Sequence, residues 1–591
     1  MSRRVVRIAA AVVVTVVALV ASGAGWAVLR VLPVRADLVQ AASLLRDLEG
    51  QLGASDLGAA RATLDDLARQ AHALRATTDA PDWRLAARAP GPAANLAAIR
   101  TVVSVLDDLT TNAMPAVLEL ADPAALGQLL PREGRLDLTP LAAAAPALRQ
   151  ADMVVQTSIA RVAAIDPSGL RPEVRDGLGQ LREGLARVGS LVGAAAKASQ
   201  VLPSMLGAYG PRTILVLFQN PAELRATGGI PGAFLVIRAE DGALRPVDQG
   251  TAAAGLRSFP TPVLPLTDEQ VALYTERLGR YPADVNLTPH FPTAAALAAE
   301  MYRLRSGTAV DAVVATDPVA LSYVLATTGP VDVPSGPTLT AENAVRVLLS
   351  DIYATMDGPT QNRYIIDVAL AVFDRLARGV PNPAATLTAL AKAAAEYRIL
   401  VWSAHQAEQE VITGTALAGA LVDDDPAHPT VGVYFNDGSG AKLGYYITAS
   451  GHLAAGECHS DGRRILWLRL VLTSTAPADG LPDSVLGLGL AGDPYTARTN
   501  VLVVSPTRGG LVEMVLDGTP VPFGQGREQR RAVGVLTVDL APGQTRELTV
   551  QILTQKYVGQ TIELRPILRI TPGVNPWAIA VEPAQNCPIA D

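Results

Sequence analysis

The sequence predicts an α+β multidomain fold in three parts: an N-terminal transmembrane helix with a helical stalk, a central α/β sheet domain and a C-terminal β-sandwich. Three observations lead to this fold class. The chain has 591 residues, which is too long for one hydrophobic core. Apolar residues recur at helical spacing early in the chain, and strand-like runs alternate with helical ones in its middle. Short strands separated by turn signals fill the remainder.

The N-terminal part begins with a basic head at residues 1–7, followed by the uncharged, mostly apolar run Ile8–Leu29. At 1.5 Å per residue, a run of this length can span a hydrocarbon core of roughly 30 Å. We therefore expect a single membrane span at residues 8–32, a cytoplasmic N-terminus and a mainly extracytoplasmic chain in the cell membrane. A cleaved signal peptide is the alternative, because Gly25-Trp26-Ala27 is an acceptable small-residue cleavage site.

Three further domains follow from the changes of period. Leucines at helical spacing predict a helical stalk or bundle over residues 33–206. Alternation of strands and helices places the central α/β domain at residues 207–425. Short strands with turns such as Asp517-Gly518 place the β-sandwich at residues 426–591.

Charge and motif content exclude several function classes. The net charge of −7 leaves no basic stripe for a phosphate backbone, so we expect no nucleic-acid partner. The motifs of phosphate-binding loops, zinc proteases, serine hydrolases and dinucleotide-binding folds are absent. Only four of the 49 basic residues are Lys, a bias typical of a GC-rich, actinobacterial-like genome.

The two cysteines, Cys458 and Cys587, are expected to form a disulfide if this part of the chain lies in an oxidising compartment. His452, Glu457 and His459 crowd around Cys458, but their spacing lacks the second half of a metal motif. We therefore predict a covalent tie and no metal site here.

The best candidate for a ligand site is the polar stretch that follows the apolar run Ile214–Phe218. It carries Gln219, Asn220, Glu223 and Arg225 before the Gly228-Gly229 pair. The planar guanidinium of Arg225 can hold a carboxylate or phosphate through two contacts, with the amides beside it. The structural alternative is a buried ion pair between Arg225 and Glu223 that joins the loop to the sheet.

Three later residues are expected to converge on the same rim. Asp248 follows a strand-like run, Asn286 lies in the segment Asp284–Pro292, and Arg363 follows two amide residues. Each also has a structural interpretation, as a turn former, a helix cap and a solvated helix residue respectively.

Several strings resemble a known family. The segments Leu217–Gly229, Asn286–Pro292, Asp311–Pro318 and Thr328–Pro334 resemble the bacterial membrane-anchored family catalogued as domain of unknown function 4012 (DUF4012). Its most specific part is the string QN-x-x-ELR-x-TGG, and the family name implies no activity.

A second resemblance, in outline only, is to the LytR–CpsA–Psr family, which transfers lipid-linked glycopolymers to peptidoglycan. That resemblance implies roles for Arg225, Asp248 and Arg363 around a pyrophosphate, and it implies magnesium as a cofactor. The family's Arg-Ser-Asp-Thr string is replaced here by Arg225-Ala-Thr-Gly, which weakens the implied magnesium site. No other cofactor is expected.

Two functions remain open at this stage. The first is a membrane-anchored cell-envelope protein that binds a phosphate-bearing or polyanionic glycan, such as a cell-wall or polyprenyl-phosphate glycan, and transfers it if it is an enzyme. The alternative is a non-enzymatic envelope adaptor that binds a protein or glycan through its stalk and β-sandwich.

Overall fold

A computed structural model of the chain describes residues 30, 32–53, 56–88, 93–120, 134–424, 426–558 and 562–589. The chain divides into two compact units. The first comprises residues 1–129 and 139–200, and the second comprises residues 130–138 and 201–591.

In the described part of the first unit, helices are joined by short turns and irregular segments. Its helices are α1 (Leu32–Gly53), α2 (Leu57–Thr78), α3 (Pro81–Ala86), α4 (Ala93–Asn112), α5 (Met114–Leu120), α6 (Thr139–Ala163) and α7 (Pro172–Met205), the last of which continues into the second unit. Asp56 caps α2 by accepting a hydrogen bond from the Ala59 amide at 3.1 Å. Leu67 and Leu74, two helical turns apart, are both buried, which is why the leucine spacing produces an amphipathic helix.

The predicted transmembrane helix has to be corrected. Among the described residues, no helix combines the length and the apolar character that crossing a bilayer demands. The run Ile8–Leu29 lies outside the described residues. The helix that follows it, α1, carries Asp37, Arg46 and Asp47, charges that a hydrocarbon core would leave without hydration. The fold class that the described residues support is a mixed α/β multidomain protein. Those residues support neither the predicted transmembrane helix nor the single-pass membrane placement that depended on it.

The central part of the second unit is a mixed five-stranded sheet of order β3-β2-β1-β4-β5. Its strands are β1 (Arg212–Arg225), β2 (Gly228–Glu240), β3 (Ala243–Thr251), β4 (Ala312–Thr316) and β5 (Ile399–Ser403). Strands β1 and β4 are parallel, and the other neighbours are antiparallel. The helices between them are α8 (Ala252–Gly255), α9 (Asp268–Tyr274), α10 (Arg277–Arg280), α11 (Phe291–Ser306), α12 (Pro318–Thr328), α13 (Ala344–Arg346), α14 (Ile352–Thr355), α15 (Gly358–Ala377) and α16 (Pro383–Ala395), and α17 (Gln406–Thr413) follows β5.

Both faces of this sheet are covered. Leu215 and Leu217 of β1 point to the face that packs on α11. Ile214 and Val216 point to the opposite face, which packs on Met205 at the end of α7 and on Ile412 of α17. The alternation follows from the period of two in a β-strand.

The C-terminal part of the second unit contains two packed sheets. One has the order β11-β10-β14-β8-β7-β17, with β19 paired to β14, and the other has the order β12-β13-β9-β6-β16. The strands are β6 (Thr430–Asp437), β7 (Ile447–Cys458), β8 (Arg463–Ser474), β9 (Ala497–Val504), β10 (Gly510–Leu516), β11 (Thr519–Pro520), β12 (Gly524–Glu528), β13 (Arg531–Leu540), β14 (Thr545–Val558), β16 (Ile567–Ile570), β17 (Ala578–Val581) and β19 (Pro588–Ile589). The short strands β15 (Glu563–Leu564) and β18 (Ala584–Gln585) pair with each other.

The inner strands β9 and β6 of the five-stranded sheet β12-β13-β9-β6-β16 are buried on both faces. Val501 and Val503 of β9 face the core between the two sandwich sheets. Leu502 and Val504 face the core of the central α/β part, together with Tyr434 of β6. A continuous apolar run, rather than an alternating one, is what a strand buried on both faces needs. The central part and the sandwich therefore share one continuous interior.

Cys458 and Cys587 form the predicted disulfide, which closes a sequence separation of 129 residues. Cys458 ends β7, and Cys587 lies just before β19 on the C-terminal segment. The bond therefore ties the end of the chain to the seven-stranded sheet, and the prediction is confirmed.

Replacing Cys587 with Ser should lower the free energy of unfolding by about 2–4 kcal/mol, because the unfolded chain regains the freedom of a long loop. Urea denaturation of the wild type and the variant, each with and without a thiol reductant, measures the difference. The reductant should lower the wild-type midpoint and leave that of the variant unchanged. Equal midpoints for oxidised wild type and variant would contradict the prediction.

Candidate functional site

The string Gln219–Gly229 forms the end of the β1–β2 hairpin and does not form an open loop. β1 continues to Arg225, and β2 begins at Gly228, so only Ala226 and Thr227 make the turn. The strand pairing shifts between Asn220 and Leu224, which leaves residues 221–223 as a bulge in β1. The hairpin end is buried where the central sheet meets the sandwich: Leu224 packs in the sandwich core, and Ala226 packs in the core of the central part.

The two glycines of the string are required by close packing within the hairpin. A Cβ atom on Gly229 would collide with the backbone of Asn220 and Pro221 across the bulge. At Gly228 it would collide with the Gln219 side chain, and the backbone there has φ of +129°, a value that L side chains rarely adopt. The Gly-Gly pair therefore serves the hairpin and does not open space for a ligand.

Arg225 is occupied by protein acceptors. Its Nη2 lies 3.3 Å from Asp284 Oδ1, and its other N–H groups donate to the carbonyl oxygens of Ala283, Leu224 and Asp437 at 3.0–3.3 Å. The second oxygen of Asp284 is 2.7 Å from Arg277 Nη2. The side chains of Arg225 and Asp284 are 11% and 3% exposed, so the pair is screened little by water. The guanidinium thus joins the hairpin to the segment Pro282–Leu287 and to the end of β6.

Glu223 does not pair with Arg225. It lies in the bulge and forms an ion pair with Lys442 of the sandwich, with 2.9 Å between Oε1 and Nζ. The Lys442 ammonium is 4.8 Å from the centre of the Tyr353 ring, and the Tyr353 hydroxyl accepts a hydrogen bond from Asn220 Nδ2 at 2.9 Å. Burial raises the pKa of the Tyr353 hydroxyl, and the Glu223 carboxylate raises it further.

The amides near the hairpin also bind backbone atoms. Asn286 Nδ2 donates to the Gly229 carbonyl at 2.9 Å. From the sandwich, Asn436 Oδ1 accepts from the Ala226 amide at 2.9 Å, and the Thr571 hydroxyl donates to the Ala226 carbonyl at 3.0 Å. Gln219 is buried, and its Nε2 has no hydrogen-bond partner in the described part of the chain. These bonds satisfy most of the polar backbone that the hairpin carries into the interior.

Asp248 and Arg363 belong to other surroundings. Asp248 on β3 pairs with Arg305 and accepts a hydrogen bond from the Tyr302 hydroxyl at 3.0 Å. Arg363 is exposed on α15. Among the described residues, no hydrogen bond or ion pair joins any two of Arg225, Asp248 and Arg363. The described residues also contain no group of three or more His, Cys, Asp or Glu side chains placed to hold a metal ion.

The structure thus gathers Asn220, Glu223, Arg225 and Asn286 around one hairpin and places Asp248 and Arg363 elsewhere. The main hydrogen-bond and ion-pair partners of the residues at the hairpin were not among the candidates predicted from the sequence. These partners are Asp284, Tyr353, Asn436, Lys442 and Thr571. Asp284 is two residues from Asn286, and Asn436 directly follows the apolar run Val431–Phe435, but nothing local indicates which distant atoms they contact.

Replacing Arg225 with Ala should lower the free energy of unfolding by about 3 kcal/mol, because Asp284 would lose one of its two cations in a buried setting. Arg363→Ala is the matched control, since its exposed side chain predicts a change within about 0.5 kcal/mol. Chemical denaturation followed by circular dichroism measures both. Similar effects in the two variants would refute the structural role of Arg225.

Gly229→Ala should destabilise the fold by about 2 kcal/mol or more, because its methyl group meets backbone atoms that cannot rotate away. Gly358→Ala is the control: a Cβ there meets nothing within 4 Å at the start of α15. We expect that variant to be unchanged or slightly more stable. The melting temperatures of the two variants should therefore differ. A Gly229→Ala variant with the wild-type melting temperature would count against the hairpin geometry.

Comparison with known proteins gives one result for this region. Residues 209–353 match the family described as "Protein of unknown function (DUF4012)". No curated protein matches the chain. The matched segment contains the whole β1–β2 hairpin and ends at Tyr353, the residue that Asn220 contacts. The resemblance in outline to the LytR–CpsA–Psr family is not tested by these comparisons and stays a prediction. The match over residues 209–353 thus confirms the predicted resemblance of this segment to the DUF4012 family.

Proposed function

We propose that this protein is a non-enzymatic adaptor of the bacterial cell envelope that binds a glycan on a rigid body made of its central α/β part and its β-sandwich. The observation that carries this proposal is the occupation of Arg225 by Asp284 and three carbonyl oxygens. A guanidinium held in this way joins segments of the fold and has few donors left for a phosphate. The geometry therefore favours the adaptor over a glycopolymer transferase.

The envelope setting is supported by the disulfide and by the LytR–CpsA–Psr resemblance. A bond such as Cys458–Cys587 persists where the surroundings are oxidising and is rare where thiols are kept reduced.

The binding surface that we propose surrounds the Glu223–Lys442 pair. These two side chains retain 15% and 18% of their exposure, so they reach solvent at the edge of the buried hairpin. The Tyr445–Tyr446 pair, with ring centres 5.0 Å apart, begins three residues after Lys442 and is partly exposed. Carboxylate, ammonium and phenol groups supply both hydrogen bonds and flat apolar faces, which together suit a saccharide.

The local backbone adds support for this surface. Tyr445 packs beside Leu349, which lies in the π-helical turn Val347–Asp351. Turns of this kind are rare and frequently occur at functional sites. The Tyr445 side chain thus lies between the β1 bulge and this π-helical turn. Both features belong to the segment that matches the family model.

Titration of purified protein with soluble peptidoglycan fragments, and separately with a polyprenyl-pyrophosphate lipid and magnesium, tests the proposal. We expect saturable glycan binding that weakens roughly tenfold in Lys442→Ala, equivalent to about 1.4 kcal/mol. Lys392→Ala is a matched control, because Lys392 also stacks on a tyrosine, Tyr323, and pairs with a glutamate, Glu396, away from the hairpin. Its affinity should equal that of the wild type.

Two results would overturn the proposal. One is glycan binding that Lys442→Ala leaves unchanged in a folded variant. The other is transfer of glycan from the lipid to an acceptor with loss of pyrophosphate, which would establish an enzyme. Binding of the lipid alone, abolished by Arg225→Lys without loss of stability, would favour the anion site over the adaptor.

A further inference from the structure

A second polar contact joins the central part to the sandwich at the edge strand β12. Helix α9 packs on this strand, with Leu273 against Gly526 and Tyr274 beside Glu528. A Cβ on Gly526 would collide with the Leu273 side chain, so the two elements are in close contact. Gln529 and Arg530 follow Glu528, both with positive φ, in a two-residue turn that leads into β13.

Glu528 is a buried carboxylate with no cation beside it. Its residue exposure is 2%, and that of Tyr274 is 5%. Neither Glu528 Oε2 nor the Tyr274 hydroxyl makes a hydrogen bond of ordinary length and angle in the described part of the chain. The polar side chains that interact with the carboxyl group are those of Tyr274, Gln270 and Thr288. Within the described ranges, no ion pair includes Glu528.

The charged groups around this contact do not neutralise Glu528. Arg531 is its cross-strand neighbour, but its guanidinium is bound to Asp424, with 2.8 Å between Nη2 and Oδ1. Arg530 pairs with Asp423 at 2.8 Å. From α9, Glu269 adds a second negative charge. On β6, the buried phenol of Tyr434 lies near Tyr274 and is neutral.

These surroundings make the charged form of Glu528 unfavourable. Burial raises the pKa of Glu528 to about 7, and the Tyr274, Gln270 and Thr288 side chains only partly oppose the increase. The physical cause is the transfer of a carboxylate into an interior that cannot hydrate it. Burial also raises the pKa of Tyr274, so the phenol stays protonated through neutral pH.

We propose that the α9–β12 contact is a pH-responsive latch between the central part and the sandwich, closed while Glu528 is protonated and loosened when its carboxylate ionises. The α9–β12 latch consists of Asp268–Tyr274 and Gly524–Glu528. This property goes beyond the proposed glycan binding and does not depend on any ligand.

The direction of the effect follows from linkage between protonation and opening. In the open latch, Glu528 faces water and ionises near its ordinary value of 4.5, whereas in the closed latch it ionises near 7. The closed state therefore holds the proton more tightly, and its advantage is complete below about pH 4.5. This advantage of the closed state is lost as the pH rises from about 4.5 through about 7. At higher pH the opening equilibrium no longer changes. Between pH 5 and pH 7 the opening equilibrium should increase roughly 30-fold.

Hydrogen–deuterium exchange of the full chain, corrected for the intrinsic pH dependence of exchange, tests the latch. Amides of α9 and β12 should lose protection by roughly 30-fold from pH 5 to pH 7, while β9 in the buried sheet should keep its protection. Glu528→Gln keeps the shape of the side chain and removes its charge. In this variant the protection of the α9 and β12 amides should not change with pH, and it should be close to that of the wild type at pH 5. Asp539→Asn is the control carboxylate, because Asp539 is paired with Arg498 on the neighbouring strand. That variant should retain the wild-type pH profile.

Tyr274→Phe provides a second test that does not require the Gln variant to fold. The Tyr274 hydroxyl lowers the pKa of Glu528, so its removal should move the loss of protection to higher pH. A pH-independent α9–β12 protection in the wild type, or the same pH profile in wild type and Glu528→Gln, would overturn the latch. Failure of glycan binding would leave it untouched, because the exchange experiment contains no glycan.

Discussion

Burial of both faces of strands β9 and β6 in the β12-β13-β9-β6-β16 sheet is the constraint on which the rest of the second unit depends. Residues 501–504 of β9 are all at most 3% exposed, with alternate side chains in two different cores. A sheet with two apolar faces needs a covering layer on each side. One layer is the seven-stranded sheet, and the other is the central α/β part. Removing either layer would expose apolar surface that costs roughly 25 cal/mol per Å² in water.

This shared interior explains why the polar groups of the string Gln219–Gly229 are bound by other parts of the protein. The β1–β2 hairpin ends inside the junction, so its backbone and side-chain polar groups must find protein partners. Arg225, Asn286, Asn436 and Thr571 provide those partners from four different segments. A further buried pair, Arg398–Asp317, also reaches the Gly573 carbonyl of the sandwich. The polar bonds give the junction one geometry, while the apolar contacts supply most of its stability.

The junction is nevertheless uneven in its polarity. Around Arg225 the charges are paired, whereas Glu528 on the edge strand β12 is buried and forms no ion pair in the described part of the chain. Edge strands carry fewer neighbours than central ones and open at lower cost. A rigid centre with a titratable edge would let the two parts stay joined while their contact responds to pH. The surface proposed to bind glycan, around Lys442, lies at the bulge and not at that edge, so the two proposed properties can be measured separately.

The apolar runs of the sequence predicted the positions of strands well. They did not show which structure the neighbouring polar stretches adopt. The run Ile214–Phe218 lies inside β1, which continues seven residues further through Gln219 and Arg225. A bulge and continued pairing depend on the partner strand, and the side-chain pattern of β1 alone does not contain that information. Leu443–Ala449 reads as one strand, yet residues 443–446 form a 3₁₀ turn before β7. The cause is distant: Gly444 packs against the backbone of Ala222 in the hairpin bulge.

What the amino-acid order settles without the fold is therefore limited to local and covalent properties. Two cysteines allow one intramolecular disulfide, continuous and alternating apolar runs indicate burial, and the QN-x-x-ELR-x-TGG string indicates a resemblance to the DUF4012 family. The partners of the polar residues were decided only by tertiary packing. Arg225 met Asp284, 59 residues away, in preference to Glu223, two residues away. Residues two apart share a face in a regular strand, but the bulge at residues 221–223 turned Glu223 towards the sandwich, so proximity along the chain did not become proximity in space.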